Sequence, residues 1–423
     1  MCVDGDEALS AAVEKLLGDP RTDPGFDICS VRQAAQAVRL LDEGLRNGLG
    51  VYRLMAEGGQ KGAETLSSDR LQVLSEMVQN ADDTGAGEIR FVWRSTELLI
   101  AHDGQGVRLP DLLLLGLPWL SGKTRDAEAT GRFGIGLATL RALSTAWEVH
   151  CHPFHVRFAD LNLEPVEPLD LPGDIADEAW TVFRIPLERD TLSPAELFRW
   201  FDTWSDSSLM FLRHLKQITV LRDEPGAARS SKVRSSAVLR LSWRDVGQQR
   251  LMVGGTAANV GVREARTTDG ALWRVYDTRV ASFGEGTRRH KASGSSMPVA
   301  VALPLGSGAA GSVHAGLPVV PLDVAVRVNA QFDPVISREE FATSQLNDAL
   351  VPLVADLGGG RSRRPRPRRT LGVAPHSAAI AVRRDCSGQA SAHPSSGTPG
   401  PGPQPGGRPA LAVASARRGG AAV

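Results

Sequence analysis

A polar line on one predicted helix could do metal and water chemistry. In the segment SEMVQNADDTGAG, Glu76, Asn80 and Asp83 are spaced i, i+4 and i+7, which puts them on one helical face. The side-chain oxygen of Asn80 suits Mg2+, a hard cation that takes a few protein oxygens together with waters and phosphates. Glu76, one turn earlier, could deprotonate a water for attack on a terminal phosphate. For these three residues alone, the alternative is a solvated polar stripe opposite an apolar face.

Two glycines at the end of a predicted strand form a second feature. The segment IAHDGQGV carries Gly104 and Gly106, which allow a tight turn and the close approach of a flat ligand. A hairpin turn that uses Asp and Gly for backbone reasons alone is the alternative. The neighbouring motifs decide between the two.

A glycine loop that leads into a predicted helix is the third feature. In TGRFGIGLATL, Gly131, Gly134 and Gly136 let backbone N–H groups approach phosphate oxygens at a helix start. A lone glycine loop is a weak signal. Its value here comes from standing in order with the other two motifs.

A competing phosphate-binding signal lies just before this loop. The segment GLPWLSGKT has five residues between its glycines, whereas a P-loop needs four. Because the loop length is what wraps the phosphates, a P-loop is disfavoured. Residues 109–130 are instead predicted to form a mobile lid, in which Lys123 could reach the phosphates. A solvated surface lysine is the alternative for Lys123.

In this order, and with the lid between the last two, the three motifs resemble the nucleotide site of the gyrase, heat-shock chaperone, histidine kinase and MutL (GHKL) superfamily. Glu76 and Asn80 resemble its N-box, IAHDGQGV its DxGxG adenine motif, and TGRFGIGL the GxFGxG segment of its chaperone branch. The resemblance implies ATP and Mg2+ as ligands, Glu76 as general base, Asn80 as metal ligand and Asp83 as a supporting contact. The implied phosphate-loop residues are Gly131, Phe133, Gly134, Ile135 and Gly136.

The adenine end of the site departs from the superfamily pattern. Aligning Gly104 and Gly106 puts His102 where an aspartate of the superfamily normally accepts a hydrogen bond from the adenine amino group. Asp103 stands one place later. Neutral His102 can still accept one hydrogen bond through a ring nitrogen, or a local shift brings Asp103 in. Thr181 resembles a family threonine near adenine, although a threonine in a strand is ordinarily structural.

Two segments indicate a branch of the superfamily. SGKTRDAEATGRFGIGL and VRVNAQFDPVISREEF resemble the sacsin-like, chaperone-related branch, including its bacterial stand-alone members. The resemblance is clear over residues 70–187 and loose over 190–357. In that branch a downstream arginine completes the ATP site, which makes Arg338 a candidate here. A surface helix residue is the alternative for Arg338.

The predicted elements give an α/β fold class. Helices are expected at 31–48, 69–81 and near 137–146. Strands are expected in EIRFVW, ELLIAH, WEVHCHPFHVRF and TVFRIPL. A second region adds a helix through ELFRWFDTW and the strands AVLRLSW, PVAVALPL and DVAVRVNAQF.

These elements divide the chain into four parts. Residues 1–68 form an N-terminal helical segment, and 69–190 a two-layer α/β sandwich of the Bergerat type that binds ATP. Residues 191–357 form a second mixed α/β domain of the middle or transducer kind. From Gly358 onward the chain has 11 Arg, one Asp and no Lys or Glu among Pro, Gly, Ser and Ala, so 358–423 is predicted to be disordered.

Composition narrows the choice of partner and compartment. Without that tail, 37 basic residues face 47 acidic ones, which disfavours nucleic acid as a specific partner. No signal peptide and no membrane-spanning stretch are visible. The four cysteines lie far apart and form no CxxC pair, which fits a reducing compartment. A soluble, cytoplasmic protein is therefore predicted, with no membrane partner.

The expected function is an ATP-dependent conformational switch, a slow ATPase in which Mg-ATP orders the lid and reorients the second domain. Chaperone-like work on a protein client is what the resemblance implies, and so is a homodimer, although no heptad seam specifies one. The alternative is an interaction module that senses nucleotide without hydrolysing it. A truncated, inactive product is a third possibility that the tail composition leaves open.

Overall fold

The computed structural model of the chain describes residues 6–19, 27–48, 71–115, 140, 143–159, 162–171, 176, 179–188, 191–223, 235–281, 296–306, 310–332, 341 and 343–359. Its α-helices are α1 Asp6–Gly18, α2 Val31–Gly48, α3 Gln72–Asp83, α4 Leu109–Leu115, α5 Pro194–Thr203 and α6 Gln345–Gly359, and a 3-10 helix spans Asp206–Phe211. The strands are β1 Glu88–Arg94, β2 Glu97–His102, β3 Ala146–Cys151, β4 Phe154–Ala159, β5 Asn162–Pro165, β6 Thr181–Pro186, β7 Gln217–Arg222, β8 Ser236–Val253, β9 Thr256–Thr267, β10 Leu272–Ala281, β11 Ser296–Pro304, β12 Gly311–Ala315, β13 Leu317–Leu322 and β14 Arg327–Ala330.

These strands join in one 14-stranded sheet, in the order β13-β12-β14-β11-β10-β9-β8-β7-β1-β2-β6-β3-β4-β5. Strand β1 pairs antiparallel with β2 and parallel with β7, and β7 pairs antiparallel with β8. The sheet therefore continues from the predicted ATP-binding region into the region that follows it. The mixed α/β class predicted from the sequence is confirmed. The two-layer sandwich is not, because the sheet is large and the described helices are few.

Helix α3 forms because its apolar residues recur at helical spacing and face the sheet. Val73, Leu74, Met77, Val78 and Ala81 are all buried, in one cluster with residues of β1 and β2. The helix runs two residues further than the predicted end at 81, because its stop signal lies beyond Asp83.

The end of α3 is a Schellman motif. The Ala86 N–H donates to the Ala81 carbonyl at 3.0 Å, and the Gly85 N–H donates to the Asp82 carbonyl at 3.0 Å. Gly85 has φ 81°, a left-handed conformation that glycine adopts without strain. The chain turns there and enters β1 at Glu88.

The two faces of the sheet around β2 and β6 differ in what covers them. Leu98 and Ile100 of β2, with Phe183 and Ile185 of β6, belong to the same buried cluster as α3. The opposite face carries Leu99, Ala101 and Val182, which pack under loop residues such as Leu169 and Trp180. Because side chains alternate along a strand, His102 shares the α3 side of the sheet with Ile100.

Two other helices are held in place by hydrogen bonds, one to α3 and one to the edge of the sheet. Helix α5 packs on it through Trp200, whose Nε1–H donates to Ser75 Oγ at 3.1 Å and whose ring meets Phe91 edge-on at 5.0 Å. Helix α2 is tied to the far edge strand, since the Leu163 N–H donates to Asp42 Oδ1 at 3.0 Å. Both contacts join residues that are far apart in the sequence.

Most predicted elements are found where the sequence indicated. Helix α2, the β1–β2 hairpin, the β3–β4 pair, β6, α5 and the strands of the second region are confirmed. The helix expected near 137–146 is wrong at its end, because Ala146 begins β3. Apart from 140 and 143–146, that segment lies outside the described residues, as does the predicted disordered tail beyond Gly359. The domain boundaries stay predictions.

Two observations bear on the predicted compartment. No helix in the described part of the chain is long and apolar enough to cross a membrane. Cys29 is disulfide-bonded, whereas Cys151 is a free, buried thiol. A disulfide does not favour a reducing compartment, so the cytoplasmic location stays a prediction.

Candidate functional site

Helix α3 carries the first group of predicted site residues. Glu76 is buried, with 8% of its surface exposed, and Asn80 is half-buried one turn later. The helical spacing of the two places an amide oxygen and a carboxylate along one face. This is the arrangement expected for a metal ligand beside a general base.

Two adjacent aspartates at the end of α3 have different roles. Asp83, the predicted supporting contact, accepts a hydrogen bond from Arg213 Nη2 at 2.8 Å. Asp82 is 1% exposed, and its carboxylate accepts from the backbone N–H groups of Arg213 at 3.0 Å, His214 at 2.7 Å and Leu215 at 2.9 Å. Asp82 therefore fixes the helix to the segment that leads into β7. The sequence analysis missed Asp82, and no local signal distinguishes it from its neighbour.

The DGQG loop docks on the residues that follow α3. The Gln105 N–H donates to the Thr84 carbonyl at 2.8 Å. A Cβ atom on Gly104 would lie 2.4 Å from Thr84 Oγ1 and 3.0 Å from the Ala86 backbone nitrogen, so only glycine fits. The structure thus brings the second motif directly against the end of the first.

The second glycine of the loop meets strand β3. A Cβ atom on Gly106 would lie 2.5 Å from Cys151 Sγ, and the Val107 N–H donates to the same sulfur at 3.3 Å. Cys151 lies one residue beyond the His150–Val182 pair, which puts it beside the start of β6. The sequence analysis gave Cys151 no part in the site.

Asp103 serves the backbone at the start of β1. Its Oδ1 accepts from the N–H groups of Gly87 at 2.8 Å and Glu88 at 2.9 Å, and the side chain is exposed. These bonds hold the β1–β2 pair together where the hairpin opens. One oxygen of the carboxylate that was the alternative adenine contact is therefore bonded to the backbone.

His102 lies deeper, opposite Thr181 on the neighbouring strand. The two residues are cross-strand partners, and the His102 ring lies 6.2 Å from the Phe183 ring. His102 is 3% exposed, and burial lowers its pKa to about 4, against a smaller opposing effect of the Asp103 charge. The imidazole is therefore neutral near pH 7, and its Nδ1 accepts from the Gly104 N–H at 3.2 Å.

Thr181 stands out for an unsatisfied group. It is 1% exposed, and its Oγ1 is buried without a hydrogen-bond partner among the residues that the structure describes. Buried hydroxyls normally have a partner, and its absence is a reason to look for a ligand. The side chain lies beside His102, at the ends of β2 and β6.

Several predicted site residues lie outside the described residues, so the structure does not test them. They are Lys123, Gly131, Phe133, Gly134, Ile135, Gly136 and Arg338. Among the residues that are described, no group of three or more His, Cys, Asp or Glu forms a metal site. Mg2+ does not need one, since it is commonly bound by one or two protein oxygens together with phosphates and waters.

Comparison with known proteins gives only distant similarities. No protein-family profile matches the sequence, and no curated protein is significantly similar to it. The N-terminal domain of a DNA repair protein aligns with a TM-score of 0.36 and 10% identity, over 70% of this chain and 94% of that one. A Francisella tularensis topoisomerase IV ATP-binding domain, in complex with a small-molecule inhibitor, aligns with a TM-score of 0.22 and 16% identity, over 36% of this chain and 81% of that one. Neither similarity establishes the fold or the function of this chain.

Proposed function

We propose that this chain binds Mg-ATP beside α3 through a Bergerat-type site and hydrolyses it slowly, as a chaperone-like conformational switch. The observation that supports the proposal is the meeting of three separate segments at one place. The end of α3 contacts the DGQG loop through Thr84 and Gly104, and that loop contacts His102, which pairs with Thr181. These are the segments in which the sequence motifs predict a nucleotide.

Each group has a part in this proposal. Asn80 would hold Mg2+ through its amide oxygen, and Mg2+ would supply charge neutralisation at the phosphates. Glu76 would orient or deprotonate the attacking water, and its low exposure keeps bulk water away from the carboxylate. His102 and the unsatisfied Thr181 hydroxyl would face the base, while the glycine loop at 131–136, Lys123 and Arg338 stay predicted phosphate contacts.

A switch also needs a connection from the nucleotide to the rest of the chain. The three backbone bonds accepted by Asp82 tie the end of α3 to residues 213–215. The next residues enter β7, which pairs with both β1 and β8. A movement of α3 on nucleotide binding would therefore be passed to the strands of the second region.

The test is calorimetric titration of ATP with Mg2+ into the full chain, followed by turnover assays. We expect Asn80→Ala to weaken binding at least about tenfold, because one metal ligand is lost. Glu76→Gln should bind as the parent does and lose turnover, because an amide cannot take a proton from water. Asp277→Asn, a change at a half-exposed ion pair in β10, is the matched control and should alter neither property.

The outcomes separate the candidate functions. Binding with turnover supports the switch, and binding without turnover in the parent chain supports the nucleotide-sensing module. The substitution of a buried neutral histidine for an aspartate at the base end is the observation that favours the second candidate. Absence of any binding by the parent chain would refute both.

A further inference from the structure

We propose that His150 and His155, on the hairpin of β3 and β4, bind one divalent transition-metal ion such as Zn2+ between their Nδ1 atoms. The two residues are cross-strand partners, and their Nδ1 atoms lie 3.2 Å apart. Neither histidine belongs to the predicted nucleotide site. The proposed metal site can therefore be tested independently of the proposed function.

The hydrogen bonds of His150 leave a lone pair on its Nδ1 atom. His150 Nε2 lies 3.2 Å from Glu148 Oε2. Hydrogen bonds from His150 and Arg184 lower the pKa of Glu148, so its carboxylate is ionised near pH 7 and only accepts. Nε2 therefore carries the proton, and Nδ1 of the neutral ring is free to act as an acceptor or a metal ligand.

The carboxylate behind His150 is itself held in place. Arg184 Nη1 donates to Glu148 Oε2 at 3.1 Å, and Arg184 Nε donates to Glu97 Oε2 at 2.7 Å. Glu148 and His150 are both buried. A carboxylate that accepts from the second nitrogen of an imidazole is the usual partner of a metal-ligating histidine, because it fixes the tautomer and the ring orientation. The first ligand is thus already oriented.

His155 supplies the second nitrogen. Its side chain is half-buried, and burial lowers its pKa to about 4, with smaller effects of the nearby His150 and His152. The ring is therefore neutral near pH 7. Without a metal, its Nδ1–H donates to Nδ1 of His150. On metal binding the proton is carried by Nε2 of His155 instead, so the ring stays neutral and Nδ1 gains a lone pair.

The spacing of the two nitrogens fits one tetrahedral ion. Two imidazole nitrogens at about 2.0 to 2.1 Å from Zn2+ are about 3.3 to 3.4 Å apart, against 3.2 Å between His150 and His155. A turn of the half-buried His155 ring therefore brings both lone pairs onto one ion without movement of the strands. Imidazole suits Zn2+, Ni2+ and Cu2+, whereas Mg2+ takes oxygen ligands. Two protein ligands leave the other positions to water, so we expect a moderate affinity.

The experiment is calorimetric titration of Zn2+ into the full chain, with Mg2+ in excess so that sites for hard cations are already occupied. We expect one ion to bind per hairpin. His155→Ala should weaken its binding by more than about tenfold, because one of two protein ligands is lost. Glu148→Gln should weaken it by about tenfold, because the amide orients His150 less firmly. His214→Ala, which removes an exposed histidine from another segment, is the control and should bind as the parent chain does.

The 15N spectrum of histidine-labelled chain locates the ion. Without metal, the proton of His150 should be on Nε2, and Zn2+ should shift the Nδ1 signals of His150 and His155 but not those of His214. Urea denaturation of each variant without metal shows whether its fold is retained.

Three results would overturn the inference. They are a parent chain that binds no Zn2+, a His155→Ala variant that binds it as tightly as the parent chain does, and a proton on Nδ1 of His150 in the metal-free chain. The two rings would then share only a hydrogen bond. His150 pairs with Val182, on the sheet face opposite α3, so His155→Ala should leave Mg-ATP binding unchanged. Failure of the metal site is thereby distinguished from failure of the proposed function.

Discussion

Replacing Asp82 with alanine is expected to lower the free energy of unfolding by about 3 to 5 kcal/mol. The carboxylate is 1% exposed and accepts three backbone hydrogen bonds from residues 213–215. Hydrogen bonds to a charged group contribute about 1.5 to 3 kcal/mol each, and a buried N–H left without a partner costs about 1 to 3 kcal/mol. The bond to the Leu215 N–H is buried, whereas the other two are partly accessible to water, so the loss is smaller than three times the value of one buried bond.

A second substitution separates the hydrogen bonds from the volume of the side chain. In Asp82→Asn the amide oxygen can still accept from His214 and Leu215, but the amide NH2 meets the Arg213 N–H. We expect a loss of about 1 to 2 kcal/mol, smaller than for alanine. Asp277→Ala is the control, because Asp277 pairs with Arg263 while both side chains are 42–43% exposed. Its loss should stay below about 1 kcal/mol.

The measurement is urea denaturation of the full chain and the three variants, with midpoint and slope compared. The expected order of stability is parent, Asp277→Ala, Asp82→Asn and then Asp82→Ala. If Asp82→Ala lost no more than Asp277→Ala, the three bonds would not hold α3 to residues 213–215. The proposed connection between the nucleotide helix and β7 would then fail as well.

Three further predictions concern packing, pH and a buried cation. Gly106→Ala should destabilise the chain by about 1 to 3 kcal/mol in thermal melts, because its Cβ would lie 2.5 Å from Cys151 Sγ, and adding Cys151→Ala should recover part of the loss. The pKa of His102 is lowered from 6.5 to about 4. The unfolded chain therefore takes up this proton first as the pH falls, and His102 should contribute a loss of stability of at most about 3 kcal/mol between pH 6.5 and 4 in urea titrations, in addition to the losses from His155 and His314, whose pKa values are also lowered. His102→Gln should reduce the slope of that dependence by the His102 share, and an unchanged slope would contradict the assignment. Arg327 is buried and its pKa is lowered by desolvation. Within the described part of the chain, its guanidinium donates to Ser312 and Ser205 and forms no ion pair. Arg327→Met should thus lower the free energy of unfolding by less than about 1 kcal/mol or raise it. Arg327→Ala should lower it more, because it leaves a cavity. A large loss of stability in the methionine variant would refute this prediction.

Much of the local structure could be predicted from the sequence, because it depends on short-range periodicity. Helix α2 begins at Val31 and ends at Gly48, as its apolar spacing and terminal glycine indicate. The β1–β2 hairpin and the β3–β4 pair follow from alternation within a few residues. The end of α3 also has a local signal, since Gly85, two residues after Asp83, stands at the spacing of a helix stop.

The roles of neighbouring polar residues could not be predicted in this way. Periodicity groups Asp83 with Glu76 and Asn80, yet Asp82 holds residues 213–215, about 130 positions away in the sequence. The choice between His102 and Asp103 at the base end depends on which strand face each side chain takes and on the N–H groups beside it. Such facts depend on contacts between distant segments, and local spacing carries no information about them.

The chemical groups of the candidate site, their order, and the helix and strand that carry Glu76, Asn80 and His102 follow from the sequence alone. The parallel pairing of β7 with β1, by which strands of both predicted domains share one sheet, is visible only in the folded chain. The tertiary structure also decided that Gly106 meets Cys151, and that His102 faces Thr181 with Nδ1 already engaged. The physical reason is that a motif specifies only which side chains follow one another in the sequence. Hydrogen-bond partners and burial depend on strand pairing and packing between segments that are distant in the sequence.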